Sequence, residues 1–235
     1  MEHPLVREHP SEELHCTEHI ENLFGALPAK ELGDLLVCGP VLLHHCSVDK
    51  LDGQIIGSGI DIMLNQGGYD SAMQIAEEFT KHTVDIVVAS TLVRSRDTAT
   101  PIAHATDAML LLDERLNAQH FGALEGETID ELDVHPVLSQ HLYKNLDFED
   151  FYDSQAPGGE SLREVEERAT QALDELIIKS GEDIRIAVVT HGSVIDVLLG
   201  QHLGLPAAEW SGLNKYLKCS YLGWSNTHGI IKSLT

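Results

Sequence analysis

The sequence predicts an α/β fold, a three-layer α/β/α sandwich around a mostly parallel sheet. Two observations carry this. Short apolar runs at Pro40 to Leu43, Asp85 to Ala89 and Ile184 to Thr190 read as strands buried on both faces. Segments with helical apolar spacing lie between them, and strands that alternate with helices form parallel sheets covered on both sides. At 235 residues and 43% hydrophobic content, the chain is long enough for one large core.

In chain order, residues 1–37 form an N-terminal lead that is partly helical, and residues 38–235 form the domain. The lead's helix runs from Ser11 to Phe24, with Ser11 as cap, Glu13 in the first turn and Gly25 as stop. Its His3, His9, His15, His19 and Cys16 match no familiar zinc module, so solvated histidines and no bound metal are expected. The first strand delivers His44, His45 and Cys46 to its carboxyl end, where open α/β sheets place ligands. A glycine-rich loop from Asp49 to Gly68 follows. A helix from Asp70 to His82 then presents Ala72, Met73, Ile75, Ala76 and Phe79 on one face. After the strand ending at Ala89, the segment Ser90 to Ala99 enters a helical pattern. Ser161 and Glu164 make a capping box for a helix reaching Lys179, with Leu162, Val165, Ala169, Ala172, Leu176 and Ile177 as its apolar stripe and Gly181 as its end. The strand ending at Thr190 delivers His191-Gly192 to the same edge as His45.

Composition removes several classes of function. Fifteen basic against 38 acidic residues give a net charge of −23 with histidine neutral, so nucleic acid and anionic membranes are not expected partners. No apolar stretch approaches the roughly 20 residues that cross a bilayer, and the first residues lack the apolar core of a secretory signal. The four cysteines, Cys16, Cys38, Cys46 and Cys219, show no Cys-x-x-Cys spacing, which fits reduced thiols in a cytoplasmic protein. Any phosphate site in so acidic a chain must be held by a few local cations.

Five segments occur in an order that resembles the histidine phosphatase superfamily, the phosphoglycerate-mutase-like family. They are His44-His45-Cys46, Ser90 to Arg94, Leu116 to Gly122, Gly159-Glu160-Ser161 and His191-Gly192. The resemblance covers residues 38 to 235 and implies a mostly parallel sheet with one antiparallel strand. It implies His45 as the nucleophile that becomes phosphohistidine, His191 as the second catalytic histidine and Arg94 as a phosphate-binding arginine. An imidazole attacks phosphorus only when neutral, and the guanidinium fork suits a phosphoryl group's paired oxygens.

The departures from that pattern weaken the expected chemistry. His44 stands where the family has arginine, and it carries charge only below about neutral pH. Cys46 replaces a glycine. Ala118 falls at the position of the glutamate that protonates the leaving oxygen, leaving a degenerate general-acid position; Glu125 and Glu127 lie near enough in sequence to be substitutes. In the family's Asp-x-Pro-Leu-Thr-x-x-Gly pattern the chain keeps Asp61, Leu64 and Gly68, with Met63 and Asn65 at the other two places. A cysteine phosphatase would need His-Cys-x5-Arg, but Asp52 stands at the arginine position.

Two functional readings follow. One is a weakened phosphatase acting on a small phosphorylated metabolite, with mutase activity the lesser expectation. The other is a catalytically inactive pseudoenzyme that binds a phosphorylated ligand, inorganic phosphate or a protein partner. No cofactor is expected in either.

Overall fold

The computed structural model describes residues 29–30, 40–49, 53–128, 152–180, 184–205, 221–225 and 229–233. The helix expected at 11–24 and the stop at Gly181 lie outside them. The apolar runs form the middle of a seven-stranded sheet. Its strands are β1 (Ala29–Lys30), β2 (Val41–His44), β3 (Ile86–Ala89), β4 (Met109–Leu112), β5 (Ile186–Thr190), β6 (Tyr221–Ser225) and β7 (Gly229–Ser233). Their spatial order is β1-β7-β6-β2-β5-β3-β4. Only β6 runs against the others, pairing antiparallel with both β2 and β7.

Alternation along the central strands sorts their side chains into two cores. Leu42, Val88, Ile186 and Val188 pack with one helix layer, α3 (Leu162–Ser180) and α4 (Gly192–Leu203). Val41, Leu43, Val87, Ala89, Ala187 and Val189 belong to the opposite core, where Ala76 and Phe79 of α1 (Gln66–Phe79) join Ala99 and Ile102 of α2 (Val93–Thr106). Because both faces are covered, these strands read as continuous apolar runs.

The capping box of α3 forms in both directions: Ser161 N–H donates to Glu164 (2.8 Å) and Glu164 N–H donates to Ser161 Oγ (3.2 Å). Val165, Ala169 and Ala172 are buried as the stripe requires, together with Leu173.

The first helix departs from its expected start. It begins at Gln66, inside the predicted loop, because Asn65 caps it by accepting from Gly68 N–H at 2.8 Å. Gly68 also permits a close approach: a Cβ there would lie 2.1 Å from the Ser47 carbonyl oxygen, in the segment that carries His45. Met73, expected on the buried face, is 62% exposed instead.

Strand register sets the site. His44 pairs with Thr190 and Ala89 pairs with Val189. The residues that follow, His45, Ser90 and His191, therefore leave the sheet at one edge.

Candidate active site

His45 N–H donates to the Thr190 carbonyl at 3.0 Å, tying the nucleophile position to the neighbouring strand end. Its Nδ1 lies 2.8 Å from the Cys46 carbonyl oxygen. A carbonyl only accepts, so Nδ1 carries the proton and Nε2 holds the lone pair. Burial pushes the His45 pKa down to about 3; His44 and Arg94 add to the lowering, and the Cys46 carbonyl opposes it. The ring is thus neutral at pH 7 and offers the nitrogen lone pair that attack on phosphorus requires.

His191 stands at the start of α4, 2% exposed, with its ring centroid 5.0 Å from that of His45 and the planes inclined at 56°. Its Nε2 is 2.6 Å from Ser90 Oγ, while Nδ1 is buried and has no hydrogen-bond partner among the described residues. Burial first, then the neighbouring His45 and Arg94, hold its pKa well below the ordinary histidine range.

Arg94, in the first turn of α2, is also 2% exposed. Two of its guanidinium nitrogens donate to the carbonyls of Ile60 (3.1 Å) and Gly57 (3.0 Å), and Asp61 lies 3.8 Å away. Asp61 also accepts from Val93 N–H with both oxygens, capping a helix whose own Leu92 has no capping side chain. The arginine and the helix start are therefore latched to one loop. That loop is close-packed, since a Cβ on Gly57 or Gly59 would lie within 2.5 Å of Glu125. Burial lowers the Arg94 pKa while Asp61 and Glu125 oppose that effect, and its positive charge depresses the pKa of all three site histidines.

His44 lies beside this group, its ring centroid 4.3 Å from His45 and its Nδ1 donating to the His45 carbonyl at 2.8 Å. The fold lowers further the pH range in which His44 can carry charge. Desolvation lowers its pKa, the His45 carbonyl opposes that, and Arg94 adds to the lowering. His44 is consequently a neutral neighbour at pH 7, with Nε2 as an acceptor.

Cys46 turns into a small apolar cluster with Leu64 and Ala72, and its N–H donates to Thr98 Oγ1 at 2.9 Å. Burial raises its thiol pKa, the reverse of what a thiolate nucleophile needs.

Ala118 is 5% exposed, and its carbonyl accepts from Arg168 at 3.2 Å. Arg168 also donates to the Arg115 and Asn117 carbonyls and forks onto Glu160 at 2.9 and 3.0 Å. Glu160 in turn accepts from His120 N–H. The segment carrying the acid position is therefore strapped to α3. The sequence alone does not mark Arg168 and Ser90 as site-building residues, although Ser90 and the Arg168 partner Glu160 lie in two of the five family-like segments. The Glu125 side chain is 6% exposed; one carboxylate oxygen accepts from Phe121 and Gly59 N–H groups and the other is buried without a hydrogen-bond partner among the described residues. It braces the loop that holds Arg94.

Among the described residues, no three His, Cys, Asp or Glu side chains are placed to hold a metal ion, and no helix is long and apolar enough to cross a membrane. A separate groove between α1 and α2, lined by Tyr69, Met73, Thr80, Asp97, Pro101 and His104 among others, contains none of the residues at the strand ends.

Comparison with known proteins gives this geometry a family. A protein described as probable phosphoglycerate mutase GpmB of Erwinia tasmaniensis is 32% identical over 147 residues; the match covers 63% of this chain and 66% of the relative, just under two thirds of its length. The native structure of a mycobacterial glucosyl-3-phosphoglycerate phosphatase superposes with a TM-score of 0.61 at 28% identity, covering 72% of this chain and 81% of that one. The same phosphatase in complex with inorganic phosphate gives a TM-score of 0.56 at 29% identity, over 72% and 81% of the two chains. The sequence model of the histidine phosphatase superfamily, branch 1, matches residues 41–234, and the chain belongs to that superfamily.

Proposed function

We propose that the pocket at the ends of β2, β3 and β5 takes a phosphomonoester and that His45 removes its phosphoryl group. The observation that carries this reading is the neutral His45 ring, its Nδ1 proton given to a backbone carbonyl and its Nε2 left as a lone pair beside buried Arg94 and His191. Bonding of His45 Nε2 to phosphorus breaks the bond to the leaving oxygen. Water then attacks the phosphohistidine, releasing phosphate and restoring the imidazole. Arg94 balances the charge on the phosphoryl oxygens, and His191 donates a hydrogen bond to them.

With Ala118 at the acid position, no carboxylic acid there protonates the leaving oxygen, so groups that depart as anions are favoured. The enzyme is accordingly a slow phosphatase. Phosphoglycerate-type monoesters are the physiological class to try first, because the similar phosphatase and mutase are named for them. The test is hydrolysis of 4-nitrophenyl phosphate beside a His45→Ala control, with an assay for acid-labile phosphate on the protein. Turnover and labelling that vanish together in His45→Ala support the reading; turnover that persists in His45→Ala overturns it.

Ala118 and the neutral His44 favour one second reading, a pseudoenzyme that binds a phosphorylated ligand or a phosphorylated protein partner without turnover. Phosphate binding with neither hydrolysis nor labelling would select it.

A further inference from the structure

We infer that Ser90 is a positioning residue that holds His191 in its Nδ1–H tautomer, giving the pocket a neutral hydrogen-bond donor beside the lone pair of His45. The inference deepens the phosphate-binding reading and rests on it for its purpose, though the tautomer can be measured independently.

The Ser90 hydroxyl is fully buried and has one hydrogen to give. Its two neighbours are Leu92 N–H, a donor at 3.4 Å, and His191 Nε2 at 2.6 Å. Leu92 can only feed a hydrogen to Oγ. Among the described residues, His191 Nε2 is thus the acceptor in reach of the hydroxyl hydrogen. Were Nε2 protonated, both the buried hydroxyl hydrogen and the Nδ1 lone pair would lack a partner, whereas the other tautomer leaves one group unmatched, an Nδ1–H that a bound anion can accept from. With Nε2 accepting and the ring neutral, the imidazole proton must sit on Nδ1. That nitrogen is buried and has no partner among the described residues.

Ser90 is itself held in place for this task. Its N–H is shared between the Val189 carbonyl and Ser95 Oγ, both at 3.1 Å, and Ser95 Oγ donates to Val189 O at 2.7 Å. The two site histidines therefore carry the same tautomer but present opposite nitrogens. His45 has its Nδ1–H tied to a carbonyl and presents a lone pair; His191 has its Nε2 tied to a hydroxyl and presents an N–H. A phosphoryl group meeting both finds a nucleophile and a donor, neither of which needs to change its protonation state first.

The experiment is a long-range proton–nitrogen NMR correlation of the histidine rings in 15N-labelled protein, with His191 assigned by its absence in His191→Gln. It is paired with calorimetric binding of inorganic phosphate. In the natural protein His191 should show a protonated Nδ1 and a bare Nε2. Ser90→Ala, folded by circular dichroism, should lose that preference and bind phosphate at least about tenfold more weakly, the size of one hydrogen bond to a charged group; Ser90→Thr, which keeps the hydroxyl, should restore both. A natural protein with its proton on Nε2, or a tautomer unmoved in Ser90→Ala, overturns the inference. If the natural protein shows the Nδ1 proton and Ser90→Ala loses it, but neither binds phosphate, the role of Ser90 stands and the phosphate reading falls.

Discussion

The rings of His45 and His191 stand 5.0 Å apart at 56°, and burial keeps both neutral at pH 7. A dianion placed against them must find its countercharge elsewhere. Among the described residues, Arg94 is the cation that acts on both rings and on His44. This single clamp stands where the family's pattern implies two arginines.

Acid should destabilise the protein through His45. The unfolded ring titrates near 6.5 and the folded one near about 3, so between those values the unfolded chain binds the extra proton. The stability from keeping His45 neutral is therefore complete above about pH 6.5 and is lost as pH falls towards 3. One such group contributes at most about 1.4 kcal/mol per pH unit. Urea denaturation of the natural protein and His45→Asn at pH 7, 6 and 5 should show a shallower decline in the variant. Equal slopes would mean that His45 is not desolvated.

Restoring the acid should change which esters are cleaved. In the natural protein, hydrolysis rates across a series of aryl and alkyl phosphates should fall steeply as the leaving group becomes more basic. Ala118→Glu should flatten that dependence and raise the rate on alkyl esters by about 10²- to 10⁴-fold, the usual worth of general acid catalysis. Adding His44→Arg should raise the rate again by supplying the missing clamp. A folded double variant with the natural leaving-group dependence would show that Ala118 does not face the leaving oxygen.

The pH dependence of anion binding should identify His44 as an auxiliary cation that works only in acid. Its lowered pKa leaves it neutral in the free protein at pH 7, and a bound dianion raises that pKa, so binding tightens as pH falls and a proton is taken up. The gain attributable to His44 should lie largely below about pH 6.5. Sulfate is a suitable calorimetric probe because it stays a dianion throughout. His44→Arg should bind more tightly at pH 8 and flatten the curve; an identical curve would remove His44 from the pocket and assign the trend to global charge.

The strap between Arg168 and Glu160 should matter for both stability and the acid position. Their side chains are 17% and 27% exposed, and Arg168 also holds three backbone carbonyls of the 115–118 segment. Arg168→Gln should cost about 3 kcal/mol, the low end for breaking a buried pair, because some solvent remains. Lysine should not rescue it, since it has no planar fork. A loss below about 0.5 kcal/mol by chemical denaturation, the range of an ordinary surface change, would mean that the strap is not formed.

The fold was legible because its signals are local. Apolar runs of four or five residues and the Ser161–Glu164 box depend on near neighbours, and the order of motifs brought His45, Ser90 and His191 to three strand ends. Strand register then makes those ends one edge. The start of α1 was misread for the opposite reason. Gly67 and Gly68 signal a loop when read alone, but Asn65 caps the helix and the Ser47 carbonyl leaves Gly68 no room for a side chain.

The charge and hydrogen-bond state of the site depended on partners distant along the chain. Ser90 meets His191 across 101 residues, and Arg94 meets Gly57 across 37. Sequence gives His44 a charge only below about neutral pH, because an isolated imidazole titrates near 6.5; desolvation in the fold, with Arg94 nearby, moves that range lower. Sequence leaves the Cys46 side chain either crowding the pocket or turned away from it, and packing with Leu64 and Ala72 decides for the second. Residue types and their order set which groups reach the strand ends. Desolvation and proton placement, which arise only when distant segments pack together, set what those groups do there.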